Sequence, residues 1–408
     1  MRTALRLTEE LPDLFERAAW ELRVSIALGP ALMTTTGSAA PEVAQIYTRA
    51  RQIAEEGGRT VRLFQALWAS WLASFSAGDL RTTGGLVDQL FALGREQHSP
   101  ELMLQAHHAA WTTAALLQGD LRAAQRSLES GMPFYRAEGY EHHTLLYGGH
   151  DAGICGYALG AMISALLGRL DRALSQAKQA FALAQTLAHH GSLAHAYQFA
   201  SEAYYLRRDP ASLCEIASEM LPFAIDHGSE LVIANARIFQ GWGFIASGRV
   251  EEGLADLRDG LWSWRRTGSK LHGPYRMARV ADGLLLAGET AEALALLQEA
   301  SALAREIGER WSDPELDRLA GIAWLRQSGG LAELDRAETH FRRAVAGARG
   351  RGARLIELRA ATSLARLWIG QGRAAQAHEL LAPIYAGFTE GFDTADLKEA
   401  RALLAELT

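Results

Sequence analysis

A glycine-centred turn recurs along this chain at intervals close to forty residues, and that spacing leaves few folds open. It reads "SAGDL" at Gly78, "LQGDL" at Gly119, "LLGRL" at Gly168, "ASGRV" at Gly248, "LAGET" at Gly288 and "GQGRA" at Gly372. "LRRDPA" fills one slot at Arg208 and "QSGGLA" another at Gly330. The successive intervals are 41, 49, 40, 40, 40, 42 and 42, and "MTTTGSAAPEV", with Gly37, carries the series back by 41 more. A fixed period of this length is the mark of a repeat architecture, in which each unit buries its apolar face only by stacking on its neighbours.

The residues around the turn say what the unit is. Before each turn lies a stretch with apolar residues at helical spacing, such as "ELMLQAHHAAWTTAALLQG", and after it another, such as "AEALALLQEASALAREIG". Five positions past the turn the residue is usually small (Ala124, Ala173, Gly253, Ala293, Ala377), which lets two helices approach closely. The second stretch ends near Gly139, Gly228, Gly268, Gly308 or Gly352, as left-handed helix termination requires. Strand-like alternation is almost absent. The fold predicted is all-α: an α-solenoid of tetratricopeptide-like helix hairpins, about eight or nine pairs, over residues 1–392. An insertion at 135–158 accounts for the interval of 49.

The chain end reads as a cap. In "YAGFTEGFDTADLKEARALLAEL", Asp393 or Thr394 can cap a helix, with Asp396 near its positive end. Leu397, Ala400, Leu403, Leu404 and Leu407 fall on one side, so this helix over 393–408 offers one packing surface where a mid-array helix needs two. Its acids are expected to cap and to face solvent. The start, "RTALRLTEELPD", looks like a second helix without a first. Half a repeat leaves apolar surface bare, so either the chain forms a homodimer there or further protein precedes it.

Charge and composition remove whole classes of function. The net charge is −6, with acids interleaved among the basic pairs, which disfavours nucleic acid. Cys155 and Cys214 are too few and too far apart for a disulfide framework or a thiolate zinc site, and fit a reducing cytoplasm. No apolar run is long enough to span a membrane and no signal-peptide core follows the N-terminus.

At these residues the chain resembles the C-terminal tetratricopeptide-like region of large bacterial signalling ATPases, many fused to a class III adenylate/guanylate cyclase or a winged-helix domain. The resemblance rests on "ELPDLFERAAWELRVSIALGPALMTTTGSAAPEV", "LYGGHDAGICGYA", "FIASGRVEEGLADLRDGLWSWRRTGSKL", "ELRAATSLARLW" and "YAGFTEGFDTADLKEARALL". The last is the most specific, because no repeat demands its order. The resemblance implies a right-handed superhelix whose first helices line the concave surface, acting as a sensory or docking arm while other domains hold the chemistry. Here no G-x-x-x-x-G-K-[ST] loop occurs, so neither ATPase nor cyclase activity is expected, and no cofactor.

Candidate site residues fall in two places. "SLAHAYQFASEAYY" puts His195, Phe199, Glu202 and Tyr205 along one helical stripe, which His108, Trp111, Trp242, Tyr275 and Arg279 could continue on neighbouring pairs toward a bound partner. The aromatic members could equally be core between repeats. In the insertion, His142, His143, His150, Asp151 and Cys155 could surround a zinc ion. However, the adjacent His142 and His143 would diverge on a helix, and no i,i+4 His pair or C-x-x-C is present, so no metal is assigned. The segment is expected to be an ordered edge with Asp151 capping the next helix, or a partner-binding loop using His150 and Asp151. The function expected is a non-catalytic scaffold that binds a protein partner, or the ATPase or cyclase domains of a longer parent chain. The alternative is a sensor that takes a small molecule or peptide in its groove.

Overall fold

The computed structural model describes residues 2–13, 16–25, 28, 41–56, 61–138, 143–144, 146–327 and 330–407. Gly37, Gly139 and His142 lie outside them. Helices fill the described residues, with no strand among them. No helix among them is long and apolar enough to cross a membrane. Contacts gather the chain into two compact units, one of residues 1–118 and 123–156, the other of 119–122 and 157–408. The division falls at the insertion that breaks the forty-residue period.

The first unit contains α1 (Arg2–Glu9), α2 (Pro41–Glu56), α3 (Val61–Ala77), α4 (Leu80–Glu96) and α5 (Pro100–Thr113). A π-helical turn, Ala114–Gln118, extends α5; α6 (Leu121–Gly131) and a 3-10 turn, Met132–Phe134, follow. Polar residues start the helices where the sequence changes from turn to apolar stripe: Asp79 accepts from the Thr82 N–H, and Ser99 from the Leu102 N–H with Pro100 in the first turn. The core is unusually aromatic, with Phe64, Trp68, Trp71, Trp111 and Tyr147 all buried. The chain passes to the second unit along α7 (Ala152–Leu166).

The second unit continues the hairpins: α8 (Leu170–Leu187), α9 (His190–Arg207), α10 (Pro210–Asp226), α11 (Glu230–Ala246), α12 (Val250–Arg266), α13 (Gly273–Ala287), α14 (Thr290–Ile307), α15 (Asp313–Arg326), α16 (Leu331–Arg351), α17 (Arg354–Gly370) and α18 (Ala374–Ala386). The last helix is α19 (Ala395–Glu406). The fold is an α-solenoid of tetratricopeptide-like hairpins. Each helix packs on the next, and α9, α11, α13, α15, α17 and α19 also pack in series. The predicted turn chemistry holds: Gly168, Gly248, Gly288 and Gly372 close hairpins at positive φ, and Gly228, Gly268, Gly308 and Gly352 do so between them. The small residue five past the turn is needed as well. Gly253 backs onto Gly241, where a Cβ would stand 2.5 Å from the Gly241 carbonyl oxygen.

Arg208 takes the left-handed slot that glycine holds elsewhere, at φ 55°. An L-residue there costs of order 1 kcal/mol or more and persists only where its surroundings demand it. What demands it is the closure of this unit on itself. The stretch after α18 returns to the start of α8, where Phe388 packs on Gly168 and Gly391 on Leu170. Glu390 Oε1 accepts from the backbone N–H groups of Asp171 (2.9 Å) and Arg172 (3.1 Å), capping a helix that has no side-chain cap of its own. Asp171 reciprocates by accepting from the Gly391 N–H at 3.1 Å, and Arg207 bridges Asp171 and Asp393. Thr394 stands at the N-cap position of α19, but its hydroxyl donates to the Gly391 carbonyl at 2.6 Å and makes no cap bond to the helix. Asp396 departs from the solvated role expected of it: it is buried and paired with Arg359 at 2.7 Å and Arg208 at 3.3 Å.

Candidate functional site

The helices that pack in series turn one face toward the inside of the second unit, and that face is charged rather than apolar. On α9 the stripe spaced by one and two turns delivers Glu202 and Tyr205; α11 adds Asn235 and Trp242; α13 adds Tyr275, Arg276, Arg279 and Asp282. From α15 come Glu315 and Arg318, from α17 Arg359, and from α19 Asp396. All are buried. So many enclosed ionisable groups are an expensive way to fill a core, and apolar residues of similar volume would serve stability as well or better.

At one end the groups satisfy one another. Asp282 accepts from the Trp242 indole at 2.8 Å and the Tyr205 hydroxyl at 3.2 Å, and faces Arg208 at 3.5 Å and Arg318 at 3.7 Å. Arg318 forks onto Glu315 with bonds of 2.6 and 2.8 Å. Arg359 holds Asp396 and also donates to the Leu206 carbonyl at 2.6 Å, tying α17 and α19 to the end of α9. Burial would raise the acids, but Arg208 and Arg318 outweigh it at Asp282, and Arg359 and Arg208 at Asp396. Both are held below the usual carboxylate range.

At the other end the same residue types are left short. Arg279 Nη1 stands 2.9 Å from Glu202 Oε1 but outside hydrogen-bond direction. Asn235 Oδ1 accepts from Arg276 Nε at 2.7 Å and more weakly from Arg279 at 3.5 Å, while its own Nδ2 finds no acceptor. Glu309 takes the His272 backbone N–H on Oε2 at 2.9 Å and leaves Oε1 unpaired. Arg279 Nε has no hydrogen-bond partner among the described residues, and the Tyr275 hydroxyl faces Glu202 closely enough to act on its charge but outside good hydrogen-bond geometry. The titrations follow. Burial raises Glu202 despite Arg279 and Arg276, and lifts Glu309 to about 8. Burial, with Arg279 beside it, lowers Arg276 to about 9, and burial with both arginines lowers His272 to about 3. A void of about 10 Å³ beside Tyr275, Trp311, Ser312 and Glu315 has room for one water.

The structure thus brings Glu202, Tyr205, Trp242, Tyr275 and Arg279 onto one face, as their spacing suggests. Phe199 meets the His272 ring edge-on at 5.9 Å and His195 lies against Phe199 at 4.7 Å, both half-buried at the unsatisfied end. Sequence reasoning missed Asp282, Arg318, Arg359 and Asp396. Their signal was available as charged residues at inner-face positions of α13, α15, α17 and α19. His108, Trp111, His150 and Asp151 form a separate group in the first unit. There Asp151 caps α7 by accepting from the Ile154 N–H at 2.9 Å, as expected of it.

No family model matches this chain. It is similar to an uncharacterized protein of Rhizobium meliloti (strain 1021), 27% identical over 372 residues, 91% of this chain but 36% of that protein's length. Among solved structures it is similar to a Rap protein complexed with competence and sporulation factor, with a TM-score of 0.61 at 12% identity, covering 95% of this chain and 99% of that one. That likeness shows the fold. A Pyrococcus horikoshii signal transduction ATPase with numerous domains, bearing a tetratricopeptide repeat sensor, aligns over 90% of this chain and 55% of its own at a TM-score of 0.39 and 13% identity. A likeness that loose carries no argument.

Proposed function

We propose that this chain is a non-catalytic regulatory arm of a cytoplasmic signalling ATPase or nucleotide cyclase, and that the inner face of its second unit senses a peptide or small polar ligand. One observation carries the reading: fully buried charged and amide groups with unmet hydrogen bonds (Glu202, Asn235, Arg279, Glu309) sit beside a clasp in which every carboxylate is matched. Buried polar groups are ordinarily satisfied, and a cluster left short is stabilised by whatever supplies the missing donors and acceptors. A ligand that carries both, as a peptide backbone does, would favour a state in which the face opens, and so shift a partner's equilibrium. The curated relative holds its matched region within a much longer protein, as an arm attached to other domains would be.

A second reading, a rigid scaffold that docks its partner on the outer surface, is favoured by Trp262, which is 59% exposed with the Arg266 guanidinium 4.6 Å over its ring. Homodimer formation through the N-terminal half-repeat would use the exposed Leu7 and Trp20. Native mass spectrometry on the chain from its own host, beside a Glu202→Gln, Arg279→Met double variant, tests the proposal. An adduct lost in the variant, while its unfolding midpoint is kept, is the expected result. A protein partner held equally by both forms transfers the function to the outer face. A bare chain in both would overturn either reading.

A further inference from the structure

We propose that the first unit holds a transition-metal site of the zinc class, made by His108 on α5, His150 in the turn before α7, and Cys155 in the first turn of α7. The ligand atoms of these three residues all lie within 4.8 Å of one another. The two histidine Nε2 atoms are 3.2 Å apart. Two zinc–nitrogen bonds of about 2.0–2.1 Å at a tetrahedral angle put their nitrogens about 3.3 Å apart, so the imidazoles already stand at ligand spacing.

What surrounds each ligand is what a metal requires. His150 Nδ1 lies 3.1 Å from the Gly148 carbonyl, which can only accept, so His150 carries its proton there and offers Nε2 as a lone pair. His108 Nδ1 lies 3.1 Å from Gln105 Oε1, which assigns it the same tautomer from the hydrogen-bond network. Ligating histidines use their second nitrogen in just this way, donating to a carbonyl that fixes ring and tautomer. Two lone pairs facing each other at 3.2 Å repel unless a proton or a cation stands between them. Gly148 holds its carbonyl in place at φ +82°, packed so closely on Trp68 that a Cβ would come within 2.6 Å of the indole.

The third ligand carries an independent sign. The Trp111 indole N–H and the Thr112 hydroxyl are buried, lie against Cys155, and have no oxygen or nitrogen partner among the described residues. A metal thiolate would accept from both. Cys155 is buried beside these donors, and an ion bound there would take the place of its thiol proton. Asp151 is close enough for its charge to act on the sulfur, and in that position would offset the cation. Trp68, Trp71 and Trp111 ring the His108 imidazole at 5.8, 6.5 and 5.3 Å, keeping the site dry. Two nitrogens and a sulfur select zinc-class ions over magnesium or calcium, and a tetrahedral ion keeps its fourth position for water or an incoming ligand. His108 stands 42 residues before His150 on another helix, so an ion there would staple the inserted segment to α5.

Cobalt(II) and zinc titrations of the full chain, after chelator treatment, test this. The expected result is one ion per chain, with a thiolate-to-cobalt charge-transfer band, quenched tryptophan fluorescence and displacement of cobalt by zinc. Cys155→Ser should abolish the charge-transfer band. His150→Gln, at a half-buried position that leaves the helices intact, should weaken zinc binding by about tenfold or more. The histidine rings of His190 and His227, 4.1 Å apart in the second unit, are the competing site, and His227→Asn should leave the band unchanged. Binding that survives Cys155→Ser and falls with His227→Asn would overturn the proposal. So would a chain that takes up no cobalt, in which His108 and His150 share only a hydrogen bond.

Discussion

The inner face of the second unit contains two clusters built from the same residue types on the same helices, and they have opposite fates. Around Asp282 and Asp396, each carboxylate meets two guanidiniums and both acids are depressed. Around Glu202 and Glu309, one turn or two away, the acids are raised, Arg276 is lowered, and hydrogen-bonding atoms go unpaired. Chain topology explains the difference. The satisfied cluster joins elements far apart in sequence, with Arg359 reaching the Leu206 carbonyl 153 positions away, so it fixes how the unit closes. The unsatisfied cluster joins only neighbouring hairpins, through α9, α11, α13 and the turn before α15 that carries Glu309. The first specifies a shape, and the second is left in need of partners.

Breaking the satisfied cluster should have the largest effect. Arg359→Met leaves buried Asp396 with Arg208 as its remaining close guanidinium and removes the bond to Leu206, for an expected loss of about 3 kcal/mol in denaturant unfolding. Adding Asp396→Leu should recover much of that, since a buried pair replaced as a pair is often neutral. A single-variant loss under about 1 kcal/mol would mean that closure does not depend on this cluster.

The pH dependence should separate the two ends next. Glu309 is raised, so its folded form keeps a proton that the unfolded chain gives up. Its contribution is intact below the unfolded value near 4.5 and is lost as pH rises toward 8. His272 is depressed, so it opposes stability below 6.5, and that loss fades as pH rises to 6.5. Between about 6.5 and 8 His272 no longer contributes while the fall from Glu309 continues. Glu309→Gln should flatten stability there by about 1–2 kcal/mol relative to the parent chain. The acids of the satisfied cluster run the other way, contributing above their unfolded values and failing as pH drops below them. Identical slopes for variant and parent between pH 6.5 and 8 would count against the contrast.

Most of the architecture could be read from turn spacing, because a helix-breaking turn every forty residues, left-handed at most of them but extended at Gly330, dictates hairpins whatever their partners are. Even Arg208 was legible as an occupant of the glycine slot. The reason for that arginine was not, since Asp282 and Asp396 lie 74 and 188 positions away and no local pattern announces them. The helical stripe from His195 to Tyr205 grouped four residues of α9, of which Glu202 and Tyr205 are buried and His195 and Phe199 half-buried. It could not say whether the stripe is open or filled, because amphipathic spacing is the same for a groove and for a closed interior. In the insertion, His150 and Cys155 stood out at once. His108 was grouped instead with the helical stripe, because it comes from a different helix and only folding sets it beside them.

The smallest effect should come from the exposed rim of the closure. Glu390 caps α8 from more than two hundred positions away, and Glu390→Ala removes the acceptor for the Asp171 and Arg172 N–H groups while leaving the buried pairs untouched. Losing a helix cap costs about 0.5–2 kcal/mol, and the exposure of this one puts it toward the lower figure. Hydrogen exchange gives the sharper reading. The first turn of α8 should lose protection in the variant while the amides of α17 and α19 keep theirs, since Arg359 and Asp396 hold those helices independently. If α17 and α19 lost protection too, the rim and the buried cluster would open as one unit. The closure would then be a single cooperative latch, and a ligand at the unsatisfied end could release it without touching an ion pair.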